Sequence, residues 1–323
     1  RKWLWIPSIH FFGIMKINFF RHIAVLSGTG VGGGSLVYAN TLPIPKSTFF
    51  KTGSWSQLLD WENELAPYYK EALRMLGAAK TPKLFDADLG LKKVAQKLHI
   101  EDKFKATNVA IYFGEENVTK KDPYFEGKGP ERTGCNYCGA CMTGCRNNSK
   151  NTLDKNYLFL AQKLGAEILA EHEVYDVRPI HEEDGTSGYE IAIKTSTKLI
   201  SKRTKIKSKG VIFSGGVLGT VKLLLKLKMS SLPNLSNRLG HNIRTNNETL
   251  VSISSLDKDK NYSKGVAIGS ILDTDANSHL EVVRYSEGSN AWKFLHLPYV
   301  TESNIFSRLA MVIVAFIKSP LNY

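Results

Sequence analysis

The residues best suited to chemistry lie in two short runs. The first is Gly28-Thr29-Gly30-Val31-Gly32-Gly33-Gly34-Ser35, with five glycines in eight positions. Glycine admits φ > 0 and lets a ligand approach main chain where a Cβ would intrude. Backbone N–H groups bared in this way suit a flat or phosphorylated cofactor. The second run is Cys135, Cys138, Cys141 and Cys145, which are all four cysteines of the chain within eleven residues. Its C-x2-C-x2-C-x3-C spacing is that of iron–sulfur ligation in bacterial ferredoxins.

Each run has a plainer reading. Gly28, Gly30 and Gly33 satisfy G-x-G-x-x-G, but a dinucleotide fingerprint needs a second strand ending in an acidic residue about 20 positions on. Here Pro43 and Pro45 interrupt the chain, and the next acidic residue is Asp60, inside a helix-like stretch. A glycine turn that only aids packing is the alternative. In two-cluster ferredoxins the fourth cysteine of such a run serves another cluster, and this chain has no further cysteine. Arg146 stands where a proline usually follows, and the two separated knuckles of a structural zinc site are missing. Thiols in a tight turn with Gly139 and Gly144 are the alternative there.

The elements that must position these runs can be read from patterning. Ile23–Leu26 reads as a strand feeding the glycine loop. Residues 54–79 read as helical, begun or kinked at Pro67 and stopped at Gly77. Helices are expected over 89–98 and 153–164, the latter stopped at Gly165. Strands are expected over 167–169, 173–177, 189–193 and 197–207, with a buried strand Val211–Ser214 running through Gly215 and Gly216 into a helix. Residues 250–300 alternate apolar and polar residues and suggest a separate sheet. The mixture indicates an α/β (mixed α+β) enzyme architecture.

Composition narrows the partners. The 323 residues are 42% hydrophobic, with a net charge of +13. Seven cations fall between Lys194 and Lys209, and those from Lys198 to Lys209 alternate with apolar or neutral residues, as on the solvated face of a hairpin. With no nucleic-acid-binding motif present, a nucleic-acid partner is not expected. Peripheral contact with an anionic membrane surface fits the charge better. The longest apolar run, Leu309–Ile317, falls short of the roughly 20 residues a span needs and reads as a buried helix. Clustered thiols without distant mates favour the cytoplasm.

The segment after the cysteines resembles a known family. Arg146-Asn147-Asn148-Ser149-Lys150-Asn151-Thr152-Leu153-Asp154-Lys155-Asn156-Tyr157-Leu158 is similar to a segment of the glucose–methanol–choline (GMC) flavoprotein oxidoreductases, in their cholesterol oxidase-like branch. Gly30–Val37 resembles that branch's second glycine loop, Phe213–Thr220 its late strand–turn–helix, and Leu239–Asn247 the Gly-x-x-x-x-Thr-Asn stretch after it. The four landmarks keep the family's order over most of residues 20–250. The cysteine run also occurs in members of this branch, so it speaks less for a ferredoxin.

The resemblance implies an FAD-dependent oxidoreductase acting on the CH–OH group of a sterol or other bulky apolar alcohol. An iron–sulfur electron-transfer protein is the rival reading. The resemblance also implies a discontinuous, Rossmann-like FAD-binding domain over 1–45 and 134–250. A substrate lobe with a mostly antiparallel sheet would occupy 46–133 and 251–323. Cofactor contacts carry over to Gly30, Gly32, Gly33, Gly34, Ser35, Asn40, Val174, Ser214, Gly215, Gly216 and Asn246. Tyr38-Ala39 replaces the Asn-Gly pair that the family often has, with Asn40 next. The family's adenine-binding motif and its C-terminal catalytic His are expected outside these residues; His241 and His296 do not match the latter. Spacing to Gly288 and Trp292 makes Glu281 the candidate catalytic carboxylate, with an exposed strand glutamate as the alternative.

Overall fold

A short pairing of Trp5–Ile6 with Phe11–Phe12 opens the fold, and a longer hairpin follows, in which Met15–Phe19 pairs antiparallel with Ala24–Gly28. The computed structural model describes residues 3–21, 23–181, 185–246, 248–253, 255, 257, 259–289, 298, 300–301 and 304–318. Trp292 and His296 lie outside them. The chain divides into two compact units: one holds 1–80, 107–136 and 141–244, the other 81–106, 137–140 and 245–323. These boundaries differ from the expected functional division, because 46–80 and 107–133 group with the glycine loop.

In the first unit the hairpin delivers the glycine loop. Gly28 ends its strand where a Cβ would lie 2.3 Å from the Gly33 carbonyl oxygen, so only glycine lets the loop fold back on the strand. A 3-10 turn, Gly33–Leu36, comes next. The Trp61–Met75 helix starts at Asp60, whose side chain accepts from the Asn63 N–H at 3.3 Å, and Glu62 and Glu64 suit its first turn. The helix runs through Pro67 instead of beginning there. The cap and the acidic first turn fix the start six residues upstream, so one lost backbone bond is tolerated.

Next to this helix three extended runs lie side by side. Leu42 N–H donates to Asn108 O and Ala110 N–H to Asn40 O, both at 2.8 Å. On the other flank Tyr112 N–H donates to Ser149 O and Asn151 N–H to Ala110 O, both at 2.9 Å. Val109, Ala110 and Ile111 in the middle run are fully buried.

A three-stranded antiparallel sheet completes the unit, ordered His172–Pro179, Tyr189–Thr195, Arg203–Ser208. The Val217–Lys228 helix covers it, with Leu227 packed on Val177, Ile191 and Ile193. The outer strand is exposed throughout, as the lysine pattern requires. Val211–Ser214 is not a strand, and Ile212 is 90% exposed; residues 167–169 are not extended in a sheet either. All pairings between the strands described are antiparallel, so the expected Rossmann-like sheet is not assembled from them. A parallel strand needs a neighbouring strand reached by a crossover, and among the described residues none flanks 211–214.

The second unit contains the expected separate sheet. Ser270–Asp273 is its central strand, between His279–Glu281 and Phe104–Ala106. Leu272 packs on Leu91 and Ala95 of the Asp86–Lys97 helix. Buried Asp88 binds Arg284 Nη2 at 2.7 Å and accepts from Ser270 Oγ at 2.8 Å. The apolar C-terminal stretch is helical, Ile305–Lys318, but not buried: Leu309 is 57% and Ile317 74% exposed. Its period specifies a helix face, but Val312, Val314 and Ala315 on the helix are only part-buried. Among the described residues no helix is long and apolar enough to cross a membrane.

Candidate functional site

The glycine loop is built for close approach. Gly30, Gly32 and Gly33 take φ of 133°, 103° and 55°. A Cβ at Gly33 or Gly34 would meet nothing within 4 Å, so this stretch faces open space. Ser35 Oγ donates to Gly32 O at 2.6 Å and accepts the Leu153 N–H at 2.9 Å, tying the loop to the polar segment after the cysteines. Asp154 Oδ1, buried and without a hydrogen-bond partner, lies 3.3 Å from where a Gly32 Cβ would sit.

Asn40 is fully buried in the left-handed region at φ 59°, a conformation asparagine tolerates better than most residues. Its main chain is anchored by Ala110, yet neither Oδ1 nor Nδ2 has a partner. A buried amide left so costs about 1–3 kcal/mol. Such an orphan, six residues after Gly34, is a candidate for a ligand bearing hydrogen-bonding edges.

Behind the loop stands a buried polar framework whose members carried no individual role in the sequence reading. Arg132 donates through Nε and Nη2 to Asn151 Oδ1 at 2.9 and 2.6 Å, and through Nη1 to Asn148 O and Oδ1 at 2.6 and 2.8 Å. Asn151 Nδ2 donates to Leu76 O at 2.9 Å. Lys150, fully buried, donates to Leu36 O, Tyr38 O and Cys141 O at 3.2, 2.7 and 2.8 Å, and sits 4.5 Å from the Tyr38 ring centre. Burial pushes the Lys150 amine down to about 8, while the Cys141 and Cys145 thiols draw it back up. Burial likewise pushes the Tyr38 phenol up. In sequence Asn148, Lys150 and Asn151 belong to a polar run that reads as surface. The only available signal was the family resemblance of the whole segment.

A cavity of about 490 Å³ opens beside the framework, lined by Cys145, Arg146, Asn148 and Lys155. Its two cations suit an anionic group. The cysteines themselves form no disulfide, and among the described residues no three Cys, His, Asp or Glu side chains come together as a metal site. Cys135 and Cys141 are buried, Cys138 is exposed.

The remaining candidates are placed separately. Gly216, at φ 83°, precedes the Val217–Lys228 helix that packs on the sheet carrying Val174. Ser214 and Gly215 are exposed beside it. Val174 flanks a bulge in its strand and is partly exposed. Asn246, in the second unit, is exposed and donates to Glu248 Oε1 at 3.0 Å. His241 is exposed on a turn.

Glu281, also in the second unit, is neither buried nor open: its side chain is 19% exposed, with Oε1 3.6 Å from His279 Nε2. Burial raises its pKa, His279 opposes that, and Glu248 adds to it. Of the apolar residues expected around it, Val282 packs into the core but Leu280 and Val283 are exposed.

Comparison with known proteins places the glycine loop and the segment after the cysteines in one family. The GMC oxidoreductase profile matches residues 17–247, and the chain belongs to that family. It is 44% identical over 298 residues to a cholesterol oxidase of Acinetobacter baumannii, covering 90% of this chain and 54% of that protein. It is 41% identical over 304 residues to a cholesterol oxidase of Mycobacterium tuberculosis, covering 91% and 52%. The chain thus spans about half the length of these curated relatives.

Proposed function

We propose that the protein carrying this chain is an FAD-dependent oxidoreductase that oxidises the CH–OH group of a sterol or similarly bulky apolar alcohol. The observation carrying the reading is the open glycine face at Gly33 and Gly34, with the buried, unpartnered amide of Asn40 six residues on, in a chain of the GMC family. FAD, when bound, supplies the hydride acceptor for the carbinol carbon.

The chain's own residues do the rest. Gly30, Gly32, Gly33 and Gly34 admit the cofactor against main chain, Ser35 holds the loop's shape, and Asn40 offers one donor and one acceptor. Gly215, Gly216, Val174 and Asn246 join them as proposed contacts. Arg146 and Lys155 present positive charge to an anionic part of a ligand. Glu281 takes the substrate hydroxyl proton at a carboxylate oxygen; its half-burial, which disfavours the charged form, makes it a stronger base than an exposed glutamate. The functional division into a cofactor domain (1–45 and 134–250) and a substrate lobe (46–133 and 251–323) belongs to this proposal. So do peripheral membrane contact and a cytoplasmic location, the latter supported by cysteines outside any disulfide.

Absorption spectroscopy of the purified protein tests the reading. A two-band flavin spectrum is expected, together with its bleaching by a 3-hydroxysterol under anaerobic conditions. A colourless protein that takes up no added FAD overturns it. A cluster spectrum without flavin would instead restore the iron–sulfur alternative.

A further inference from the structure

The cysteine turn has no place in the proposed oxidation, and the buried amine that reaches it supplies one. We propose that Lys150 is a positioning residue: its ammonium bolts the exit of the glycine loop, Leu36–Asn40, to the cysteine turn and thereby holds the Asn40 amide in place for the cofactor. The cofactor part of this inference rests on the proposed function; the bolt itself does not.

An ammonium has three N–H donors, and Lys150 spends them on Leu36 O, Tyr38 O and Cys141 O. Two acceptors flank the end of the Gly33–Leu36 turn and the third lies across the framework, so one nitrogen joins segments more than 100 residues apart in sequence. A buried cation persists only when its donors are matched, and here the Tyr38 ring covers it as well. Lys150's own main chain bridges to Ile111, next to the Ala110 that anchors Asn40. The charged and titratable groups acting on it are Cys141, Cys145, Lys155 and Asp154. The turn's contribution to the bolt is a main-chain carbonyl, so the thiols need no metal to make the turn matter.

Arginine cannot replace this amine. Its five donors spread over a planar fork and do not converge on three carbonyls around one point. Lys150→Met and Lys150→Arg, compared with the unmodified protein, therefore give the test. Without flavin, hydrogen exchange of the Val37 and Tyr38 amides, which both donate to Gly34 O, should quicken at least ~10-fold in both variants, the scale of losing charge-assisted bonds. Exchange in the 172–208 sheet should stay within about twofold, since distant sites are close to independent. FAD affinity, read from flavin fluorescence, should fall at least ~10-fold in both. Unchanged loop exchange in Lys150→Met, or full rescue by Lys150→Arg, overturns the inference.

Should the variants not fold, amine acetylation of the native protein decides. Lys150 should react at least ~10-fold more slowly than exposed Lys198, by the usual effect of burial on access, and more slowly again with bound FAD. Equal rates for the two lysines, or a Lys150 rate indifferent to bound FAD, reject it. A protein that binds no FAD defeats the oxidoreductase reading and with it the cofactor role, while the flavin-free exchange still reports on the bolt.

Discussion

Two atoms of Asn40 carry the strongest functional signal at the scale of single residues. A side chain that served only the fold would find partners, and this one has none. Asn40→Gly keeps the left-handed backbone and removes the orphan amide. Relief of an unmet polar group, about 1–3 kcal/mol, then outweighs or balances the added chain entropy of roughly 0.5–1 kcal/mol. Thermal unfolding without flavin should show equal or higher stability, while FAD affinity drops about tenfold. A less stable protein with unchanged affinity would mean that the amide works for the fold. Glu281 gives a second test. Its raised pKa means that the acid limb of kcat/KM lies above the ordinary 4.5, with activity lost as the pH falls through it. The folded carboxyl also holds its proton more tightly than the unfolded chain, so stability declines as pH rises through that window and is level above it. Glu281→Gln should lower turnover at least ~10²-fold, the scale of a lost acid–base group; an unshifted acid limb and unaltered turnover would return this residue to a solvent-facing role.

Elements were legible wherever local chemistry decided them. The helix at 153–164, the hairpin strands around 173–193 and the lysine-faced edge can be read from period and turn residues, and the structure contains them with shifted ends. The Val211–Ser214 strand and the burial of the Ile305–Lys318 helix were not legible, because both depend on what lies alongside. Lys150, Arg132 and Asn151 escaped for a related reason: a polar run looks solvated until tertiary structure closes over it. Two carboxylates show how polar groups are held away from solvent. Asp122 accepts amides from Tyr124, Phe125, Gly127 and Gly129 at 2.7–3.1 Å. Burial alone would raise its pKa, but these donors together hold it below 3.8, so its contribution is present above that value and vanishes as pH falls through the lowered one. Asp122→Asn should cost about 1.5–3 kcal/mol, seen as a lower urea midpoint at pH 7 that merges with the parent protein in acid. The Asp88–Arg284 pair is stricter. Arg284→Met strands a buried carboxylate and should cost about 3–5 kcal/mol, and making Asp88→Leu as well should recover much of the loss. Equal stability of Arg284→Met and the parent would rule out this account.

For the molecule as a whole, a ligand that binds only the folded state adds stability by mass action. FAD at 100 times its dissociation constant should add about 2.7 kcal/mol, measurable as a rise of several degrees in the melting midpoint. No rise at any FAD concentration would show that the cofactor has no site in the folded chain. The net charge of +13 is visible in sequence, yet its placement says more than its size. Arg203, Lys205 and Lys207 alternate along a border strand whose second row of peptide groups has no strand beside it among the described residues. Such a rim invites another chain to zip onto it, and a ladder of like charges repels that newcomer. Replacing Lys205 and Lys207 with threonine should leave the fold intact while quickening fibril growth, read by thioflavin fluorescence; an unchanged rate would show that these charges do not guard the edge.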